Sequence, residues 1–347
     1  MALTTSEIDT KTMVPVCRQL ATAYEAGLPI TKVLEHVGRE NKNPKIRRLM
    51  SEMHSEIVRG GSLADAAVGQ SKYLSPFFVN LLAGGEKSGK LDVMLTDLAD
   101  YYEDRLKMRR QVISALTYPC ILLVFAWFLG TFSIGMVKVA LSAFEGTGGG
   151  IEGVKEYAEE WVQFQVKSMI TFAFAFVAYV VLARLGLFKW ISCWITTFIW
   201  PMSTVTRKFG MARFFRSLSL MLGSGMGVVQ CIRQSAEVTG NPYLQKDLMK
   251  AVPKVQNGAT LMEAFSNSRL MTPLAREMLH VGEESGKLDF QLNKAAQYSM
   301  DEASHAVKVA STIMTNLVML AVFSLIGGIV IYFWSNLYGG MMDGLGI

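Results

Sequence analysis

The stretch Gly85-Glu86-Lys87-Ser88-Gly89-Lys90-Leu91-Asp92 decides the fold, because it returns as Gly282-Glu283-Glu284-Ser285-Gly286-Lys287-Leu288-Asp289. We call this shared sequence the hairpin motif. Its two occurrences are 197 residues apart, and further matches at an offset of 197 or 198 lie outside them. These matches pair Gly27 with Gly225, Asn43-Pro44 with Asn241-Pro242, Pro76 with Pro273 and Tyr101 with Tyr298. A register kept over such a distance indicates an internal repeat.

Within each copy the apolar residues follow a helical period. In the first copy they are spaced for one face of a helix before the motif and again after it, at Leu74, Phe77, Phe78, Leu81 and Leu82 and then at Leu91, Leu95, Leu98 and Tyr102. A helix is predicted to end near Gly85. Gly89 is predicted to take the left-handed conformation, and the next helix to open at Lys90-Leu91-Asp92. Each copy is therefore predicted to be a small antiparallel helical bundle.

The glutamate of the motif, Glu86 in one copy and Glu283 in the other, has two interpretations. Its carboxylate could cap the start of a helix, where negative charge is favourable. It could instead face a basic partner protein. The candidate site therefore consists of motif residues with a structural or partner-interaction role, namely Gly85, Glu86, Gly89, Leu91, Asp92, Gly282, Glu283, Gly286, Leu288 and Asp289.

The composition points to a membrane. The chain has 347 residues, of which 51% are hydrophobic and only 18% are charged, against about 25% charged in a soluble domain. Residues 111–137 and 309–342 contain no charge. Since a helix of roughly 20 apolar residues spans a bilayer, transmembrane helices are predicted at 118–137 and 313–334. A third is predicted at 168–187, with Arg184 reaching the interface.

The basic residues indicate the orientation. Residues 1–117 hold 16 Lys and Arg, residues 138–167 hold 3, and residues 184–312 hold 15. Three spans place both basic regions on one side, which the positive-inside rule assigns to the cytoplasm. The stretch 190–206, with Trp190, Trp194, Trp200 and Pro201, is interpreted as interfacial, because a fourth span would put the second basic region outside. The start of the sequence shows no apolar signal region, so no cleavable signal is expected.

The sequence thus predicts an all-α integral membrane protein with two homologous cytoplasmic helical bundles and three transmembrane helices. Its predicted segments are an N-terminal segment (1–14), the first cytoplasmic repeat (15–117), transmembrane helix 1 (118–137), a periplasmic loop (138–167), transmembrane helix 2 (168–187), an interfacial segment (188–206), the second cytoplasmic repeat (207–312), transmembrane helix 3 (313–334) and a periplasmic tail (335–347).

No catalytic, cofactor or metal site is predicted. Gly84 to Lys90 imitates the opening of a phosphate-binding loop, but Leu91 stands where that loop needs Ser or Thr, and a helix precedes it where a strand is required. The four histidines lack ligand spacing. The cysteines form no CxxC pair, and they are interpreted as reduced, buried residues.

Two functions are considered first for a membrane protein with this composition. A small-molecule permease or channel component is disfavoured, because transporters keep ionisable residues inside their spans and these three cores contain none. A membrane anchor that binds anionic lipid or nucleic acid is suggested by the net charge of +5. However, the two basic regions mix their 16 and 15 bases with 14 and 9 acids, which argues against a dedicated polybasic patch.

The doubled Gly-Glu-x-Ser-Gly-x-Leu motif, each copy leading into a membrane helix, resembles the type II secretion system F / type IV pilus inner-membrane platform protein family (GspF/PilC-like). The resemblance covers roughly residues 15–337 and is closer to the shorter type IVb pilus members. It implies a platform without enzymatic activity and without cofactors, located in the bacterial inner membrane with its N-terminus in the cytoplasm and its C-terminus in the periplasm.

The resemblance also implies partners. The cytoplasmic bundles would contact a hexameric assembly ATPase, and the membrane helices would receive pilin or pseudopilin subunits. Other inner-membrane assembly proteins and further copies of the chain, in a homo-oligomer, are also expected, whereas nucleic acid is not. The ATPase would drive the platform, which would insert subunits into a pilus or a secretion filament.

Overall fold

The computed structural model of the protein describes residues 8–144, 151–184, 200 and 202–345, and these residues form helices without any strand. The predicted all-α class is confirmed. The helices are α1 (Thr10–Glu25), α2 (Ile30–Glu40), α3 (Pro44–Val58), α4 (Leu63–Gly69), α5 (Pro76–Ser88), α6 (Leu91–Phe144), α7 (Ile151–Arg184), α8 (Met202–Gly223), α9 (Val228–Val238), α10 (Pro242–Leu248), α11 (Ala251–Gln256), α12 (Leu261–Phe265), α13 (Pro273–Ser285) and α14 (Leu288–Leu345).

The helices form two compact units. The first unit comprises Met1–Val112 and Ser192–Val307 and contains both copies of the repeat. The second comprises Ile113–Ile191 and Lys308–Ile347 and contains the apolar segments. Residues of both copies, among them Phe78, Phe214 and Phe265, share the hydrophobic core of the first unit.

The helix starts confirm the repeat. The helices α2, α3 and α4 begin 198 residues before α9, α10 and α12, and α5 and α6 begin 197 residues before α13 and α14. The caps also correspond. Asn43 and Asn241 each accept a hydrogen bond from the first turn that follows, and Pro44 and Pro242 occupy the first helical position, where a missing N–H costs nothing.

The copies differ in the helix that follows the Asn-Pro pair. The helix α3 is continuous, whereas its counterpart is divided into α10 and α11. Pro253 lies in α11 at the place of Ser55 in α3. Because proline lacks an N–H and its ring collides with the carbonyl of the residue four positions earlier, it breaks the helix near Met249.

The second unit supplies the membrane segments. Among the residues that the structure describes, three helices are long and apolar enough to cross a membrane, within Leu91–Ala143, Glu152–Ala178 and Leu288–Tyr338. Their large side chains are exposed in the isolated chain, for example Phe174 and Leu320, as expected for surfaces that face lipid.

The structure differs from the sequence-based expectation in its boundaries. The helix α5 continues to Ser88, so the predicted helix end near Gly85 is wrong. The helix α6 runs through Pro119 without ending, and much of the predicted loop 138–167 is helical. Residues 188–199 and 201 of the predicted interfacial segment lie outside the described residues, as do 185–187 and the side chain of Arg184.

Candidate functional site

The hairpin motif joins two helices in each copy. Gly89, which ends α5, has a φ of +68°, and Gly286, which ends α13, has a φ of +66°. The left-handed conformation predicted for Gly89 is therefore observed, and glycine adopts it without the steric cost that a Cβ would bring. The Lys90 N–H donates to the Gly85 carbonyl at 2.9 Å, which closes the end of α5.

The first glycine of the motif allows the two helices to pack closely. A Cβ added to Gly85 would lie 2.8 Å from Cγ and 2.9 Å from Cβ of Met94, on the next helix. A Cβ added to Gly282 would lie 3.0 Å from Cδ1 and 3.1 Å from Cα of Leu288. Both glycines are buried inside a helix, so their role is close contact rather than an unusual backbone angle.

The glutamate of the first copy binds the start of another helix. The two carboxylate oxygens of Glu86 accept hydrogen bonds from the backbone N–H groups of Leu63 and Ala64, each at 2.8 Å. These are the first two residues of α4. The next N–H, of Asp65, donates to the hydroxyl of Ser62 at 2.9 Å, and the Asp65 carboxylate accepts from the Ser62 N–H.

The second copy repeats this arrangement. The Glu283 carboxylate accepts from the N–H groups of Leu261 and Met262, the latter at 3.1 Å, at the start of α12. Thr260 and Glu263 form the same reciprocal capping box that Ser62 and Asp65 form in the first copy.

The motif glutamate therefore completes a helix cap. The N–H groups at a helix start lack partners within the helix, and here the four at residues 62–65 all find an acceptor. A negative charge at this end is also favourable for the helix dipole. Capping, one of the two interpretations of Glu86 and Glu283, has direct geometric support, although the capped helix is the one that precedes the motif helix.

The remaining motif residues begin the long helices. Leu91 is buried, and Leu288 packs against the core of the first unit. Asp92 and Asp289 lie exposed in the first turns of α6 and α14, where negative charge is favourable. The structure thus brings five predicted residues together in each copy and leaves the two sets in separate hairpins.

One contact between the copies has no reciprocal counterpart in the repeat. A Cβ added to Gly84 on α5 would lie 2.8 Å from Cβ of Ser224, which follows α8, and Ser224 is buried. In the opposite direction, the residue at the place of Gly84 is Val281, which is 41% exposed, and the residue at the place of Ser224 is Ala26, also exposed. The contact is therefore heterologous rather than reciprocal.

A polar cleft of about 430 Å³ lies within the first unit, between α6 of the first copy and α8 and α14 of the second. Arg216 donates to Oδ1 of Asn293 at 2.6 Å beside it. Burial raises the pKa of Asp104 and lowers that of Arg213. Among the described residues, no group of His, Cys, Asp and Glu side chains is placed to hold a metal ion.

In the second unit, α6 and α7 are joined through Thr131. Its hydroxyl accepts hydrogen bonds from Nε1 of Trp161 at 3.2 Å and Nε2 of Gln165 at 2.8 Å. The Tyr157 hydroxyl donates to the Thr131 carbonyl at 3.0 Å, and the ring of Tyr157 lies where a side chain on Gly135 would be. The sequence did not reveal these residues, because single polar and aromatic residues in an apolar stretch form no recognisable motif.

The role of the glutamate as a cap for a preceding helix was also not recognised from the sequence. The signal was available, because a capping-box sequence precedes the motif glutamate in both copies, at Ser62 and at Thr260. A helix cap formed by a residue more than twenty positions away has no local sequence rule, however, so the pairing could be found only by comparing the copies.

Comparisons with known proteins agree with this architecture. The family model of the type II secretion system (T2SS), protein F matches residues 16–137 and 214–334. Each match covers a helical bundle and the apolar helix segment that follows it.

Individual relatives are similar over most of the chain. The type II secretion system protein F of Vibrio cholerae is 27% identical over 94% of this chain and 80% of its own length. The type IV pilus assembly protein PilC of Myxococcus xanthus is 27% identical over 93% of this chain and 79% of its own. PilC of Pseudomonas aeruginosa is 26% identical over 90% and 86%, respectively. Because the two family matches together cover more than half of the sequence, the chain belongs to the type II secretion system protein F family.

Proposed function

We propose that the protein is an inner-membrane platform that couples a cytoplasmic assembly ATPase to the insertion of pilin or pseudopilin subunits into a filament. The relatives named as type II secretion and type IV pilus assembly proteins support this assignment. The chain would act by binding and moving its partners, with no chemical step of its own.

The observation that carries the proposal is the continuity of α6 and α14. Each of these helices begins at a hairpin motif inside a bundle and continues, without ending, into an apolar segment long enough to cross a membrane. A bundle that is moved by a partner would be linked to the membrane segment through helical hydrogen bonds rather than through a flexible loop.

The proposed orientation places both bundles in the cytoplasm, where an ATPase can bind them. The basic residues flanking the spans support this orientation. The N-terminus would then be cytoplasmic, and the segment between α6 and α7 and the C-terminus would be periplasmic. Further copies of the chain and other inner-membrane assembly proteins would complete the platform.

The test is retention of the ATPase by the full-length chain. The protein is purified in mild detergent and mixed with the assembly ATPase from the same organism, and both retention and the rate of ATP hydrolysis are measured. We expect retention of the cognate ATPase and a changed hydrolysis rate, whereas an assembly ATPase from an unrelated system should show neither. Failure of the cognate pair under conditions that keep both proteins folded would contradict the proposed coupling.

The same assay tests whether the motif glutamates face the partner. Both oxygens of Glu86, and both of Glu283, already accept backbone hydrogen bonds. We therefore propose that these residues act on partner binding through the fold of the bundle. Glu284→Gln, next to Glu283 but exposed, is the matched control. A loss of ATPase in Glu283→Gln with an unchanged fold would instead favour a direct contact.

A further inference from the structure

A cavity of about 190 Å³ lies in the second copy, between the start of α8, the segment before α13 and the first quarter of α14. Its floor is apolar and is formed by Met211, Phe215 and Leu270. Met211 and Phe215 are almost completely buried. The cavity is therefore built into the bundle rather than being a dip in a mobile surface.

The rim of this cavity is basic. It carries Arg207, Lys208 and Arg269 against one acid, Glu302. Lys208 Nζ lies 3.6 Å from Oε1 of Glu302. Within the described part of the chain, neither Arg207 nor Arg269 forms an ion pair, so two guanidinium groups are free to bind an anion. The hydroxyls of Thr272 and Ser299 add polar atoms to the lining.

Several residues at the corresponding place in the first copy differ from those that line this cavity. Tyr102 stands at the place of Ser299, and its hydroxyl lies 3.3 Å from that of Ser75, the counterpart of Thr272. Asp9 stands at the place of Arg207 and pairs with Arg109 at 3.0 Å. The second copy thus has a small side chain where the first copy has Tyr102, and a cation where the first copy has Asp9.

The residues that line this cavity are close in sequence to the predicted membrane segments. Arg207 directly follows the tryptophan-rich stretch 190–206, of which Trp200 is 65% exposed. On α14, Glu302 precedes Lys308 by six residues, and the uncharged stretch 309–342 begins immediately afterwards. Six residues correspond to about 9 Å along a helix.

We propose that this cavity binds the phosphate of an anionic phospholipid headgroup. Arg207 and Arg269 would donate to the phosphate oxygens, since guanidinium groups match phosphate with paired hydrogen bonds. Lys208 would remain with Glu302, and the apolar floor would accommodate the glycerol carbons. Basic pockets on the cytoplasmic side of membrane helices recognise headgroups in this way. The inference rests on the membrane location of the chain and is independent of ATPase coupling.

The test measures lipid bound to the full-length protein. The detergent-purified chain is titrated with phosphatidylglycerol, with phosphatidylcholine, and with glycerol 3-phosphate or inorganic phosphate, and bound lipid is counted by native mass spectrometry. We expect phosphatidylglycerol to bind about tenfold more tightly than the others, a difference of ~1.4 kcal/mol. The double variant Arg207→Gln/Arg269→Gln should lose that preference.

Two comparisons make the result specific. Arg233→Gln/Lys246→Gln removes the same charge from exposed positions on α9 and α10 and should leave the preference unchanged. Ser299→Tyr restores the side chain of the first copy and should abolish binding while every charge remains. If both double variants lose the preference for phosphatidylglycerol equally, general attraction to charge explains it and the proposal is wrong. If free phosphate binds as tightly as phosphatidylglycerol, the ligand is not a lipid.

Discussion

At the level of single residues, the motif glutamate shows how a carboxylate on the surface of a bundle can stabilise the fold. Glu86 and Glu283 are at least partly exposed, yet each accepts two backbone hydrogen bonds from the start of a short helix. These helices, α4 and α12, have seven and five residues. Because such short helices are marginal by themselves, they depend on caps and packing.

The effect of the cap on stability can be followed with two buried cysteines of the chain itself. Cys17 lies buried in the first copy and Cys231 in the second. Burial raises the pKa of the Cys17 thiol, and it raises the pKa of Cys231 to about 12, so both stay neutral and react slowly until the bundle opens. Glu86→Gln puts an N–H donor in the place of one of the two carboxylate acceptors, and the loss of a hydrogen bond to a charged group costs about 1.5–3 kcal/mol. The substitution should speed the modification of Cys17 at least about tenfold.

The measurement is the rate of labelling by a thiol reagent in a background with Cys120→Ala and Cys193→Ala. Glu283→Gln should likewise speed labelling, but mainly of Cys231, and Glu284→Gln should affect neither thiol. Equal acceleration of both thiols by either variant would mean that the copies open as one unit.

At the level of elements, the helical hairpin depends on a close approach as well as on a turn. Gly89 and Gly286 provide the left-handed turn, and Gly85 and Gly282 allow the next helix to approach. The sequence pattern predicted the turn, because a glycine between two periodic stretches is a known signal. It placed the helix end at the wrong glycine, because a glycine inside a helix and a glycine that ends one look alike without the packing partner.

The close approach predicts a cost for a single methyl group. Gly85→Ala places a Cβ 2.8 Å from Met94 and should destabilise the bundle by about 1–3 kcal/mol, the usual range for overpacking. Gly69→Ala is the matched control, since Gly69 is also in a helix but has open space around it. The midpoint of thermal unfolding in detergent should fall for the first variant only, and equal midpoints would contradict the packing role.

At the level of the whole molecule, the sequence predicted the class, the repeat and the three apolar helices, because these depend on periodicity and on the absence of charge. It could not predict the contact between the copies. Gly84 and Val281 are equivalent in the repeat, but one is buried and the other exposed. No local sequence feature shows which of these two positions is covered by the other copy, because this depends on how the complete bundles pack.

The proposed orientation predicts a labelling pattern in cells. Val58→Cys and Met262→Cys report on the two copies and are 65% and 40% exposed as valine and methionine. Lys155→Cys reports on the predicted periplasmic loop. In the Cys120→Ala/Cys193→Ala background, a reagent that cannot cross the inner membrane should label only Lys155→Cys in intact cells, because three spans place both copies inside.

After lysis of the inner membrane all three cysteines should react. If one copy but not the other is labelled in intact cells, the copies lie on opposite sides of the membrane. The chain would then cross the membrane an odd number of times between them, and not twice. Labelling of both copies in intact cells, with Lys155→Cys protected, would show that the orientation is the opposite of the proposed one.

The contact between the copies at Gly84 also affects how the pairing is maintained. If the two bundles were separate polypeptides, a contact of this kind would form and dissociate with protein concentration. Joined in one chain, each bundle meets its neighbour at an effective concentration that the connecting segment sets, whatever the amount of protein in the membrane. The pairing therefore becomes insensitive to expression level, and a substitution at Gly84 acts on the association of two domains as well as on the packing of a helix.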